Sequence, residues 1–238
     1  MNRHCRGLLC ALALVIAPFA GAEEQAIEPN AGAKAEVESP EATGVEVLAL
    51  ADALVRLGRE YESPMLLIAA AELASQVGPP TELAWERQVD HSADDSVRYD
   101  AGEQDDMTVG SILDEARTLA GGDASLGVLI DRTAETAQGV MGRIPGPGSL
   151  RGTVSPGGVD SYAGVYFQSR RTAIVSISGD GGSYLELYIY DHNGNLVASG
   201  TGPGDQKQAQ WTPRITEAFV VQVRNLGNNH NGYVLRTN

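Results

Sequence analysis

The stretch Tyr184–Gly200, YLELYIYDHNGNLVASG, admits two readings that lead to different proteins. Asp191, Asn193 and Asn195 alternate as the first ligands of a calcium loop do, but they also surround an Asn-Gly pair. An EF-hand loop needs its glycine in the sixth place and a bidentate Glu in the twelfth. Counted from Asp191, Gly194 stands fourth and Gly202 twelfth. Asn-Gly is, by contrast, a preferred sequence for a two-residue type I′ hairpin turn. Placing the turn at Asn193-Gly194 pairs Asp191 with Leu196, Tyr190 with Val197, Ile189 with Ala198 and Leu187 with Gly200. Apolar meets apolar or small along the inner face, so the stretch reads as a β-hairpin that needs no metal.

The same period of two runs through the rest of the C-terminal part. Candidate strands are 162–167, 172–178, 184–191, 195–199, 207–212, 218–224 and 233–237, separated by Gly-Asp-Gly-Gly, Asn-Gly, Gly-Pro-Gly and Gly-Asn-Asn turns. Their inward sets are Ala173, Val175 and Ile177; Leu185, Leu187 and Ile189; Phe219, Val221 and Val223; and Tyr233 with Leu235. Seven or eight short strands at this spacing predict an antiparallel β-sandwich.

Upstream the period changes to that of a helix. Val47, Leu48, Ala51, Leu54, Val55 and Gly58 share one helical face. Ser63-Pro64 restarts a second helix that Gly78 and Pro79-Pro80 end. A second pair begins near Thr108 and at Asp123, an N-cap residue. Two hairpins fall short of the about three repeats that a stable helical array needs, so a four-helix bundle is the expectation. The resulting division is a secretion signal over 1–22, a disordered acidic tether over 23–43, and an α-helical domain over 44–140. A long acidic loop, 78–107, carries Trp85, His91 and Tyr99 within that domain. A Gly/Pro-rich linker over 141–152 and the sandwich over 153–238 follow.

Arg3 and Arg6 followed by the apolar run LLCALALVIAPFA and Ala20-Gly21-Ala22 have the pattern of a cleaved leader, too short to span a membrane. The expected location is the periplasm or the medium. Both cysteines, Cys5 and Cys10, fall in the leader, which excludes a Cys nucleophile, a Cys-bound zinc and a disulfide scaffold from the mature chain. Charge is uneven: Glu23–Val140 holds 25 acidic and 7 basic residues, and Met141 onward holds 6 and 8. So acidic a surface disfavours nucleic acid and anionic membranes as partners, and it allows the helical half to dock on the weakly basic sandwich.

Residues 159–238 carry an ordered set of features: the tyrosine-rich SYLELYIYDHNGNLVASG, then QAQWTPRITEAFVVQVRNLG, then a closing NGYVLRTN. In these residues the chain resembles the bacterial pre-peptidase C-terminal domain. The resemblance implies a jelly-roll-like β-sandwich that serves as an accessory module in exported proteins, some members of which bind calcium. The layout as a whole is similar to a group of exported proteobacterial proteins, a likeness that brings no activity. Where that family often places acids before the tyrosine strand, this chain has Gly182, Ser183 and Tyr184, and only Glu186 remains. Calcium needs six to eight oxygens, so a calcium site is disfavoured and no cofactor is expected.

No HExxH and no G-x-S-x-G occurs, and His91, His192 and His230 are scattered over loops and turns. The expectation is a protein that is not an enzyme, structural or interaction-mediating, with an unknown protein or glycan of the cell envelope as partner. Because Leu185, Leu187 and Ile189 point inward, Tyr184, Glu186, Tyr188 and Tyr190 point out. These four are the candidate binding residues. A carbohydrate-binding module using that face, and a hydrolase with a cryptic site, are the alternatives.

Overall fold

A computed structural model describes residues 28–33, 40–90, 108–140 and 146–238. The leader over 1–22, most of the tether, His91 and Tyr99 of the acidic loop, and residues 141–145 of the linker lie outside these. Four helices come first: α1 Pro40–Glu60, α2 Pro64–Ser75, α3 Val109–Ala120 and α4 Ala124–Val140. Two short strands, β1 Thr81–Glu82 and β2 Arg87–Asp90, stand between α2 and α3. The remaining strands are β3 Gly148–Val154, β4 Val159–Phe167, β5 Ala173–Gly179, β6 Leu185–Tyr190, β7 Leu196–Gly200, β8 Gln206–Trp211, β9 Glu217–Asn225 and β10 Asn231–Thr237.

The strands form two five-stranded sheets, β1-β3-β10-β5-β8 and β2-β4-β9-β6-β7. All pairings are antiparallel except that of β1 with β3. The inner faces meet in one core that includes every inward residue read from the sequence, joined by Tyr162, Phe167 and Trp211. Phe167 and Trp211 meet edge-on with centroids 4.7 Å apart, a geometry favoured by the ring quadrupoles.

The four helices form where the sequence period places them, although Ser63 makes no side-chain cap on α2. Thr108 and Ser111 make a capping box on α3, and the Asp123 carboxylate accepts from the N–H groups of Ser125 and Leu126 at the start of α4. The helices are not arranged as four sides of a bundle around one axis. The nearly all-apolar α2 (PMLLIAAAELAS) sits centrally, packed against α1, α3 and α4. Gly58 lets α1 come close, since a Cβ there would lie 2.7 Å from Leu67 Cδ2.

Several sequence expectations need correction. The 78–107 loop contains β1 and β2, which extend one sheet each as edge strands. Both are short and polar, so they leave no periodic signal. The 141–152 linker contains the start of β3, whose glycines disguise it: a Cβ on Gly152 would lie 2.5 Å from the Tyr233 hydroxyl. The tether is not disordered throughout. Pro40 opens α1 four residues before the expected start, and residues 28–33 strap onto the sandwich through Asn30. The turn of the 184–200 hairpin is also longer than two residues. Pairing holds from Leu187/Gly200 to Ile189/Ala198, then shifts so that Tyr190 faces Leu196. Gly194 N–H donates to Asp191 O at 3.0 Å and Gly194 has φ +81°, a turn closed by a left-handed glycine and a bulge, which inserts one extra residue.

The two halves meet where α1 crosses the outer face of β5 and β10. Ala42 and Val45 cover Ile174, and β5 is thereby buried on both faces. Deeper in, Asp52 takes an ion pair from Arg236 Nη1, with side-chain exposures of 7% and 10%. Ser178 Oγ donates to the same carboxylate at 2.5 Å. Removing one partner of a buried pair leaves an uncompensated charge, whereas replacing both by apolar groups is often neutral. Asp52→Ala is therefore expected to cost about 3–5 kcal/mol in denaturant unfolding, and Asp52→Leu combined with Arg236→Met to recover most of it.

Candidate functional site

The outward residues of β6 and β9 build one continuous cluster. The register sets Glu186 opposite Arg224, Tyr188 opposite Gln222 and Tyr190 opposite Val220. Tyr188 and Tyr190 lie with ring centroids 6.4 Å apart and planes within 20° of parallel. The Arg224 guanidinium sits 4.4 Å from the centroid of the Tyr188 ring, a cation–π contact. Its Nη2 donates to Tyr190 Oη at 2.9 Å and to Gln222 Oε1 at 3.0 Å. Tyr188 Oη donates to Glu186 Oε2, and that bond raises the pKa of the phenol. Gln222 Nε2 donates across to Ser161 on β4 at 3.2 Å.

Of the four candidate residues, Glu186, Tyr188 and Tyr190 are thus brought into direct contact. Tyr184 lies one residue before the strand, 58% exposed, its carbonyl accepting from Leu226 N. Sequence reading missed Arg224 and Gln222, although the alternation in FVVQVRN puts them on the outer face. It also missed apolar side chains at the margins: Leu226 beside Tyr184 is 59% exposed, and Leu196 paired with Tyr190 is 47% exposed. Tyr166, on β4 of the same sheet, is 75% exposed. Among the described residues the helices pack on the other sheet, through α1 on β5 and β10, and leave this face uncovered.

The hairpin tip beside this face is closed by its own chain. Asp191 is buried, and Oδ1 accepts from the N–H groups of Asn193 and Asn195 at 3.0 and 2.9 Å. Oδ2 accepts from Asn195 Nδ2 and from Asn30 N, both at 3.0 Å. Those four donors use the carboxylate's four lone-pair positions. Asn30 in turn holds the 212–215 loop: its Oδ1 accepts from Arg214 N and Ile215 N, and its Nδ2 donates to Ile215 O. At the opposite end of the sandwich Lys207 is buried, and its ammonium donates to the carbonyls of Pro203, Gly204 and Gln206 at 3.1, 2.8 and 3.2 Å. Burial lowers its pKa, partly offset by Asp205 and Glu186.

A second polar cluster lies inside the sandwich. Tyr233 Oη donates to Asp160 Oδ2 at 2.6 Å and shares a 2.7 Å hydrogen bond with Tyr162 Oη. Arg87 of β2 pairs with Asp160 Oδ1 at 2.8 Å, and Trp85 meets Tyr162 with tilted rings, centroids 6.0 Å apart. Burial pushes the pKa of both phenols up, that of Tyr233 well above its ordinary value. The tyrosines and Asp160 are almost fully enclosed, and the cluster pins β2 to the sandwich.

No protein-family model matches the chain, and no curated protein matches it. Among solved structures, the chain is similar to the pre-peptidase C-terminal domain of a collagenase from Bacillus anthracis, with 17% identity over 39% of this chain and 89% of that one, at a TM-score of 0.30. It is also similar to a periplasmic inhibitor of g-type lysozyme from Aeromonas hydrophila, with 10% identity over 39% and 86% and a TM-score of 0.29. A de novo designed double-stranded β-helix is similar at 18% identity over 38% and 97%, with a TM-score of 0.25.

Asp191 yields a pH signature. Burial alone raises its pKa, but the hydrogen bonds from Asn195, Asn30 and Asn193 outweigh that and hold it below the ordinary value. A depressed carboxyl stabilises the fold fully above its unfolded pKa of about 3.9 and loses that contribution as pH falls through the folded value. The thermal deficit of Asp191→Ala relative to the parent is expected to be full near neutral pH and to shrink below about pH 4, as followed by circular dichroism melting.

Proposed function

We propose that the chain is an exported, non-catalytic interaction protein that receives a protein partner on the Tyr184–Glu186–Tyr188–Tyr190 face. The observation that carries this reading is the Arg224–Tyr188–Tyr190 stack on a sheet that the helices leave open. Tyr and Arg are the residue types that most often dominate binding energy at interfaces. Here they are already locked by cross-strand contacts and hydrogen bonds, so little side-chain entropy remains to be lost on association. Exposed Leu196, Leu226 and Tyr184 supply apolar area around the stack. Export rests on the leader-like pattern of residues 1–22.

The stack also ranks the carbohydrate reading second. Sugar stacking uses an open ring face, and the Arg224 guanidinium already covers a face of Tyr188. Among the described residues of this sheet, Tyr166 and Tyr184 carry the most exposed rings.

The test is affinity capture from an envelope extract, with the parent chain and a Tyr188→Ala, Arg224→Ala double variant as baits. A protein retained by the parent and lost from the variant is the expected result. Capture of nothing specific, or equal capture by both, contradicts the reading, and retention on immobilised polysaccharide in its place supports the carbohydrate alternative. We also expect no metal requirement: the melting temperature should be the same in millimolar calcium and in chelator, because a ligand specific to the folded state would raise it.

A further inference from the structure

The sequence holds two Asn-Gly pairs, Asn193-Gly194 and Asn231-Gly232. Such a pair is chemically labile in a free chain. The backbone nitrogen of the glycine attacks Cγ of the asparagine side chain, and glycine has no Cβ to obstruct the approach. A new N–Cγ bond forms, the bond from Cγ to the side-chain nitrogen breaks, and ammonia leaves with the proton that the glycine nitrogen gives up. Water then opens the cyclic imide at either carbonyl and leaves aspartate or isoaspartate. The reaction needs only solvent, so the fold decides the fate of each pair by whether it lets the glycine nitrogen reach that carbon.

The two pairs sit in opposite surroundings. Asn231 is fully buried at the start of β10, the middle strand of its sheet. Its Nδ2 donates to Ser183 O at 2.9 Å and its Oδ1 accepts from Asp180 N at 3.2 Å, which fixes the side-chain amide at both ends. Gly232 N–H is held by Asp180 Oδ2 at 2.8 Å. Freeing these groups means opening the sandwich. Asn193 and Gly194 are both exposed at the tip of the β6–β7 hairpin, and nothing lies within 4 Å of the place a Cβ on Gly194 would take. What restrains them is the turn itself. Gly194 N–H donates to Asp191 O at 3.0 Å, and the Asp191 carboxylate holds the turn through the N–H groups of Asn193 and Asn195. Attack requires the Gly194 nitrogen to leave its hydrogen bond, and an exposed tip opens at far smaller free-energy cost than a central strand.

We propose that Asn193 is a modification site of this chain, converted to aspartate and isoaspartate at a rate that the Asp191 turn sets. Isoaspartate carries the main chain through Cβ and so lengthens the connection between β6 and β7, next to the point where Tyr190 faces Leu196. Either product places a second carboxylate beside Asp191, whose Oδ1 lies 3.0 Å from the Asn193 nitrogen. The conversion therefore acts on the end of the hairpin that carries the tyrosine face, whatever that face binds.

The test is to age the full chain in mildly alkaline buffer below its melting temperature and to follow both asparagines by peptide mapping with mass spectrometry. Asn193 is expected to convert at least about 10-fold faster than Asn231, and in urea, where neither is protected, the two should convert at similar rates. Asp191→Ala is expected to speed conversion at Asn193 several-fold. Asn195→Ala removes only one side-chain donor to that carboxylate; it should speed conversion less, and it decides the matter if Asp191→Ala does not fold. The proposal is overturned by an Asn193 that stays intact over the time in which the denatured chain converts, by equal rates for the two pairs in the folded chain, by the same rate ratio in urea as in the folded chain, or by a rate at Asn193 that neither substitution changes.

Discussion

Asp52 and Arg236 meet where water is nearly excluded, and each is tolerable there only because of the other. A buried carboxylate or guanidinium alone carries a large desolvation cost. This makes the position of α1 on the sheet nearly all-or-none: a shift that parts the pair exposes two uncompensated charges to an apolar surrounding. Ile174 under Ala42 and Val45 adds non-directional burial, while the ion pair and Ser178 fix the register. A cleft beside the pair depends on that register, and it is bordered by residues 77–80 after α2 and by 108–110 at the start of α3.

The sandwich was legible because its strands alternate strictly. Leu185, Leu187 and Ile189 or Phe219, Val221 and Val223 announce an inner face with no further information, and the structure buries all of them. Elements built from other physics were hidden. β3 was masked by glycines that exist to admit Tyr233 and Leu83; β1 and β2 are edge strands held by backbone pairing and by Arg87, not by an apolar face. The hairpin tip was read correctly as a turn but at the wrong length, because an Asn-Gly pair also suits the left-handed end of a longer turn. What chose the longer one was the Asp191 side chain, which gathers donors from Asn193, Asn195 and Asn30, and Asn30 is remote in sequence.

The outer face shows the same division. Strand alternation indicated that Tyr188, Tyr190 and Glu186 would share a side, since this follows from one strand alone. Which residues would stand between them depended on how β9 pairs with β6. Arg224 is an ordinary surface arginine until the register sets it across from Glu186 and over Tyr188. The Asp52–Arg236 contact is more remote still: nothing near either residue in sequence distinguishes it from a solvated charge, and only the packing of a helix on a sheet far along the chain makes the pair.

Lys207 has a consequence of a different kind. Three loop carbonyls converge on its ammonium as they would on a bound cation, but this cation is part of the polymer. A loop organised by a free ion is as ordered as the concentration of that ion allows. A loop organised by a tethered one is occupied at any dilution and in the presence of any chelator. That end of the sandwich therefore keeps its shape whatever ions the medium holds.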